Sequence, residues 1–413
     1  MTGVRLLAAT VLTAACASTV CASGSVVAQP PVSGPCPVLW VLGVQGTGQS
    51  STTASATADT GMVGALLGPV VAAVPHLVQR TYVAYPAGFG GAVGTGGDPV
   101  PYAASVADGV AALEATAQRI VSDCPATALA VVGYSQGAHV VSDFARRVGT
   151  GEAAIPPERV AGVALFSDPD RAPGTPVIPG RPGQVVPDPA PGTSGAAVST
   201  VAITTAPATG GGIAGTGADP GYGALTGRVA DICVEGDLSC AAPDRAALLR
   251  VAAGIAARAD LRDPVAALGS IQAVLSGVLG DTWTTVVNND FRVDPGVVDY
   301  APETGLAQRL TEAADPRTPP PTPEDIASAS ARWGRITGVV AADPIGQLPK
   351  LAGQLSGAFG QLVAENADLS NPVVWLRYSD VIGRHTGYAA TGQLATGVAW
   401  LTALAHDLAG AQS

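Results

Sequence analysis

Hydrophobic positions fall along this chain in two textures. Through the first 240 residues, unbroken apolar runs alternate with helix-spaced ones. Residues 38–44 are continuously apolar with Trp40 inside the run, which predicts a buried strand ending at Gln45-Gly46-Thr47-Gly48-Gln49-Ser50-Ser51. Residues 80–85, 128–134 and 160–166 predict three more strands, the last closed by Asp168-Pro169. Val106, Val110, Leu113, Ala117 and Ile120 recur at helical spacing up to Cys124, and residues 136–148 predict a second helix. Residues 172–223, rich in Pro, Gly, Thr and Ala, read as a long surface loop with one strand at 198–204, and residues 225–233 resume strand character. Alternation of this kind predicts an α/β fold with a central parallel sheet and helices on both faces.

Past Cys240 the texture changes. Asp263-Pro264 has the form of an N-cap followed by proline at the first helical position. Val265, Leu268, Ile271, Leu275 and Val278 then mark one apolar face, with Gly280 as the expected stop. A further helix reads through Leu351, Leu355, Phe359 and Leu362, and residues 316–323 form a proline-rich linker. Residues 241–372 are therefore expected to be a helical insertion, a lid or cap. The final helix, with Leu394, Val398, Leu401, Leu404 and Leu408, is expected to pack back on the sheet, so that the core comprises residues 29–240 and 373–413.

Charge and cysteine usage narrow the classes. The formal charge is -11 and Lys350 is the sole lysine, so the chain has no basic footprint for nucleic acid or anionic lipid headgroups. The N-terminus carries Arg5, a short apolar stretch at 6–15 and small residues after it. It reads as a signal peptide over 1–28, cleaved after Ala28, with Ala22 as the competing point. The apolar run is shorter than the roughly 20 residues a spanning helix needs, so no stable membrane span is expected. Cys36, Cys124, Cys233 and Cys240 remain in the exported chain and imply two disulfides. Three pairings are possible in principle. Cys233–Cys240 closes a short loop, which leaves Cys36 with Cys124.

The chemistry centres on Gly133-Tyr134-Ser135-Gln136-Gly137, which follows an apolar run and opens a helix. That is the form of a nucleophile elbow, with flanking glycines giving room for the tight turn. A hydroxyl needs a base to remove its proton. Among four histidines, His385 lies in a polar stretch read as a loop and satisfies the chain order Ser, Asp, His. His139 sits one turn after Ser135 on the same helix, too constrained to reach the hydroxyl. His76 precedes a strand, and His406 lies in the apolar final helix. Asp237, held inside Cys233-Val234-Glu235-Gly236-Asp237-Leu238-Ser239-Cys240, is the expected acid, with Asp168 and Asp231 as competitors at strand ends. The Gln136 N–H and the N–H and hydroxyl of Thr47 are the expected oxyanion donors.

On these blocks the chain resembles the cutinase family of serine esterases, especially its actinobacterial members. The matching pieces are Cys36, Gln45-Gly46-Thr47-Gly48, Cys124, the Ser135 pentapeptide, Leu165-Phe166-Ser167-Asp168-Pro169, the Cys233–Cys240 loop and His385-Thr386-Gly387-Tyr388. The resemblance implies an α/β-hydrolase core, ester hydrolysis without metal or cofactor, both disulfides, and the triad Ser135, Asp237 and His385 with Thr47 and Gln136 at the oxyanion hole. Two departures stand out. Gln45 replaces the usual arginine, and His385 comes far later than in compact members, after an insertion similar to that of the mycolyl-arabinogalactan esterases of mycobacteriophages. The expected partner is a lipid or acyl ester at or outside the cell envelope. The alternatives are an acyltransferase of the same fold and a catalytically inactive envelope-binding protein. The sequence sets no oligomeric state.

Overall fold

The computed structural model describes residues 35–203, 208–215 and 220–412. The signal-peptide expectation lies outside the described residues. A five-stranded, wholly parallel sheet forms the centre: β1 (Leu39–Val44), β2 (Val78–Tyr82), β3 (Ala128–Tyr134), β4 (Val160–Phe166) and β5 (Val229–Ile232), in the order β2-β1-β3-β4-β5. β1 and β4 are buried at every position, as an unbroken apolar run requires when both faces are covered.

Helix α1 (Gly61–Ala73), α2 (Tyr102–Asp123) and α3 (Gln136–Thr150) connect the first strands, and α11 (Gln393–Gln412) closes the chain. One face of the sheet presents Leu39, Val41, Val132 and Phe166 to Leu66 and Leu67 of α1 and to Trp400 and Leu404 of α11. The other face carries α2 and α3, which pack on each other where Gly109 lets Val140 and Tyr85 approach. α1 went unread in sequence because it is apolar nearly all round. Of the expected strand at 198–204, the described residues hold a single 3-10 turn, Val198–Thr200, pinned by Asp407, which accepts from the Ala197 and Val198 amides at 2.8 and 2.9 Å. The two disulfides are Cys36–Cys124 and Cys233–Cys240.

Between Cys240 and the final helix the chain builds α4 (Ala247–Arg258), α5 (Pro264–Asn289), a hairpin β6 (Phe291–Asp294) and β7 (Val297–Tyr300), α6 (Leu306–Ala314), α7 (Pro323–Ala342), α8 (Pro344–Ala364), α9 (Pro372–Leu376) and α10 (Val381–Thr386). Asp263 does cap α5, accepting from the Val265 and Ala266 amides. Gly280 does not stop it. A Cβ there would meet open space, and one exposed glycine costs only about 1 kcal/mol against continuing hydrogen bonds. Thr322 and Asp325 form a capping box that starts α7 straight after the proline linker. Two small cores hold the segment: Val287, Phe291, Val298 and Ile336 in one, Val251, Ile255, Val278 and Ala314 in the other.

The two ends of this segment grip each other. Arg245 reaches Asp368 through its guanidinium at 2.9 Å and its amide at 3.1 Å, and the Asp368 amide returns to the Arg245 carbonyl at 3.0 Å. The Tyr378 hydroxyl donates to the Ala241 carbonyl at 2.6 Å.

Candidate active site

Parallel strands point their C-terminal ends the same way, so the segments after β1, β3, β4 and β5 share one rim. The strand order reverses between β1 and β3, the crevice where such sheets hold ligands. Ser135 follows β3 at that crevice. Its φ of 56° lies in a region that non-glycine residues rarely enter, which is the strained turn of an elbow. The Ser135 amide donates to the Phe166 carbonyl at 2.9 Å, and its carbonyl accepts the Ala138 and His139 amides of α3 at 2.8 and 3.1 Å. The flanking glycines serve close approach rather than unusual φ. A Cβ on Gly133 would lie 2.4 Å from the Gly137 carbonyl oxygen, and one on Gly137 would lie 2.1 Å from that of Val44.

Asp237 follows β5 inside the Cys233–Cys240 loop and is fully buried. Its Oδ1 accepts from His385 Nδ1 at 2.9 Å and from the Ser239 amide at 3.0 Å, and its Oδ2 accepts the Tyr388 hydroxyl at 2.8 Å. Burial opposes its charge, but the His385 bond and charge, with Ser167 and Tyr388, outweigh that and hold the carboxyl below its usual range. An ionised Asp237 keeps the proton on Nδ1 and leaves Nε2 free to act as a base.

His385 sits in α10, a short helix rather than the expected loop, started by the Asp380 side chain accepting from the Gly383 amide. Its ring lies tilted against Tyr134, centroids 5.3 Å apart, and Tyr134 donates to the His385 carbonyl at 2.7 Å. Ser167 Oγ stands 3.0 Å from Nδ1. The structure thus joins Asp237 and His385 directly and brings Ser135 to the same cavity. Among the described residues no hydrogen bond links Ser135 to His385; such contacts often tighten only with substrate bound.

Gln136 opens α3, where a first-turn N–H has no helical acceptor, and its side chain is anchored to the Gly88 carbonyl at 2.9 Å. Thr47 faces the cavity from the loop after β1. Gln45 takes over loop anchoring: it donates to the Thr60 carbonyl and accepts from the Val63 amide at 3.2 Å, tying the loop to the start of α1.

Of the competing residues, His139 alone lines the cavity among the described residues. Asp168 is buried in a turn, accepting from the Asp170 amide, and burial with the neighbouring Asp231 and Asp170 pushes its pKa up to about 7. Asp231 lies beside Arg171. His76 and His406 are exposed. His139 lines the cavity, bonded through Nδ1 to Tyr102 at 3.1 Å. His139, Asp143 and Asp170 cluster closely enough to suggest a cation, yet Asp170 is already bound by Arg146 and by Arg317 at 2.7 and 2.9 Å. The roles of Tyr388, Ser167 and Tyr134 were not read from sequence. All three stand in motif blocks, but only the folded chain shows that they hold the acid and histidine.

The cavity measures about 960 Å³. Ala103, Val106 and Ala107 of α2 line it together with Ala253, Gly254 and Ala257 of α4, so the late helical segment supplies part of its wall. Arg317, also on the cavity, ties that segment to Asp170 of the core.

The Cutinase family model matches residues 35–248, more than half of the chain. A carboxylesterase Culp6 homolog from Corynebacterium glutamicum is 36% identical over 124 residues, 30% of this chain and 38% of that protein. A cutinase from Monilinia fructicola is 30% identical over 132 residues, 30% of this chain and 57% of that one. The chain thus spans well under two thirds of either relative. Among solved structures, the catalytic core domain of acetyl xylan esterase from Trichoderma reesei aligns at 22% identity and a TM-score of 0.34, covering 58% of this chain and 99% of that one. Lysin B from Mycobacteriophage D29 aligns at 20% identity and a TM-score of 0.33, covering 73% and 90%.

Proposed function

The chain belongs to the cutinase family, and from that premise we propose that it is a secreted serine esterase that cleaves lipid or other acyl esters through an acyl-enzyme. One observation carries the reading. A buried, ionised Asp237 holds Nδ1 of His385 on the cavity into which the elbow turn presents Ser135. Ser135 Oγ attacks the ester carbonyl while His385 Nε2 takes its proton. The charge that develops on the carbonyl oxygen falls to the Gln136 and Thr47 N–H groups. His385 then protonates the departing alcohol. Water, deprotonated by His385, attacks the acyl-enzyme and releases the acid and free Ser135.

The cavity walls favour an apolar acyl chain. Residues 241–372 act in this reading as an inserted cap, which the α4 side chains on the cavity support. The two disulfides fit an oxidising, extracellular compartment, and residues 1–28 would be the export signal.

A fluorophosphonate probe should label the protein at Ser135, and Ser135→Ala should lose labelling together with about 10⁴-fold or more of nitrophenyl ester turnover. Labelling that survives in Ser135→Ala contradicts the reading. With an added alcohol acceptor, a new ester in place of free acid would reassign the protein as an acyltransferase.

A further inference from the structure

α5 presents an apolar stripe to solvent. Val265, Leu268, Ile271, Leu275, Leu279 and Trp283 follow one another at intervals of three and four, so they share one side of the helix over about 27 Å. All six are exposed, Val265 at 83% and Leu268 at 71%, and Trp283 at the far end also packs edge-on against Trp333 of α7, centroids 4.8 Å apart. Isolated exposed leucines need no explanation, but a continuous stripe of this length does. The opposite side of α5 is packed. Val278 joins Val251 and Ile255 of α4 and Ala314 of α6, and Val286 and Val287 join the hairpin and α7.

We propose that this stripe docks the protein on an uncharged or zwitterionic lipid surface, with α5 lying along it. The choice of occupant rests first on charge. Asp281 is the one ionisable side chain in the 26 residues of α5, and the chain as a whole carries -11 with a single lysine. Anionic headgroups would repel it, whereas a neutral surface has only apolar burial to offer. The second argument is position. α4 and α6 lie between α5 and the cavity: their packed residues meet Val278, and Ala253, Ala257 and Thr311 line the cavity with Ser135. A lipid surface on α5 is therefore one helix layer from the site, which rests on the esterase reading for its use. α5 also has the length and apolarity of a spanning helix, its most apolar stretch having a mean hydropathy of 1.3. Its packed valines hold it to the protein, so it rests on a surface rather than crossing one.

The test uses the full secreted chain and phosphatidylcholine vesicles, read by co-sedimentation. Wild type should bind, binding should withstand added salt, and replacing part of the lipid with phosphatidylglycerol should not strengthen it. Leu268→Ser, Leu275→Ser and Leu279→Ser combined should weaken binding at least about tenfold, since three large side chains lose their burial. Melting by circular dichroism confirms that the triple variant is folded. Ser135→Ala should bind as wild type does, so loss of catalysis and loss of docking read out separately. Wild type that stays in the supernatant, or a folded triple variant that binds equally well, overturns the proposal. So does a dimer in size-exclusion chromatography that the triple variant dissolves, because the stripe would then face a second copy of the chain.

Discussion

In the sheet, β1 and β4 bury every side chain and β3 all but its first, whereas α5 and α8 leave long apolar residues such as Leu268 and Phe359 in solvent. The sheet is sandwiched between two helix layers, and the face toward α1 and α11 forms one extended core. The late helices share two small clusters and lean on the core through α4 and Arg317. Rigid placement is needed at the rim that holds Ser135 and Asp237, and the strands that lead to it, β3 and β5, are buried almost throughout. The late segment has only to supply part of the cavity wall and deliver His385, and it can leave surface unburied for other uses.

Three substitutions would break or sharpen this contrast. Leu404→Ala, beneath the sheet against Trp400 and Gly162, should destabilise the protein by about 2–5 kcal/mol in chemical denaturation, with any loss under about 1 kcal/mol counting against a close-packed core. Asp168→Asn tests the carboxyl buried in the turn after β4. The carboxyl has its pKa raised to about 7 in the fold, so its contribution to stability is full below its ordinary value of 3.8 and is lost as pH rises through about 7. Asparagine keeps an oxygen for the Asp170 amide. The variant should melt higher than wild type at pH 8, with the gain vanishing near pH 4. The smallest effect belongs to Leu355→Gln on the exposed side of α8, expected within about 0.5 kcal/mol of wild type. A larger loss would mean that α8 is covered in solution.

How much was legible follows the same division. Strands β3 and β4 could be bounded to the residue because each is a short apolar run closed by turn residues, too short for a buried helix. The placement of Ser135 and Asp237 beside their strands was readable because local pattern, a turn between glycines and a cysteine loop, holds each there. α10 was not, since Gly383, Arg384 and Thr386 give no helical period and its start depends on Asp380. The hairpin had a signal that went unused: Pro295-Gly296 between Phe291-Arg292-Val293 and Val297-Val298-Asp299 is a turn between short strands, with Gly296 at φ 76°. Tyr388 and Ser167 gain meaning only from contacts with Asp237 and His385 across distant parts of the chain.

The grip between Arg245 and Asp368, 123 positions apart, gives the late helices a common doorway. The path that leaves at Arg245 returns at Asp368 to the point it left, so the stretch that runs on to His385 sets out from a fixed place.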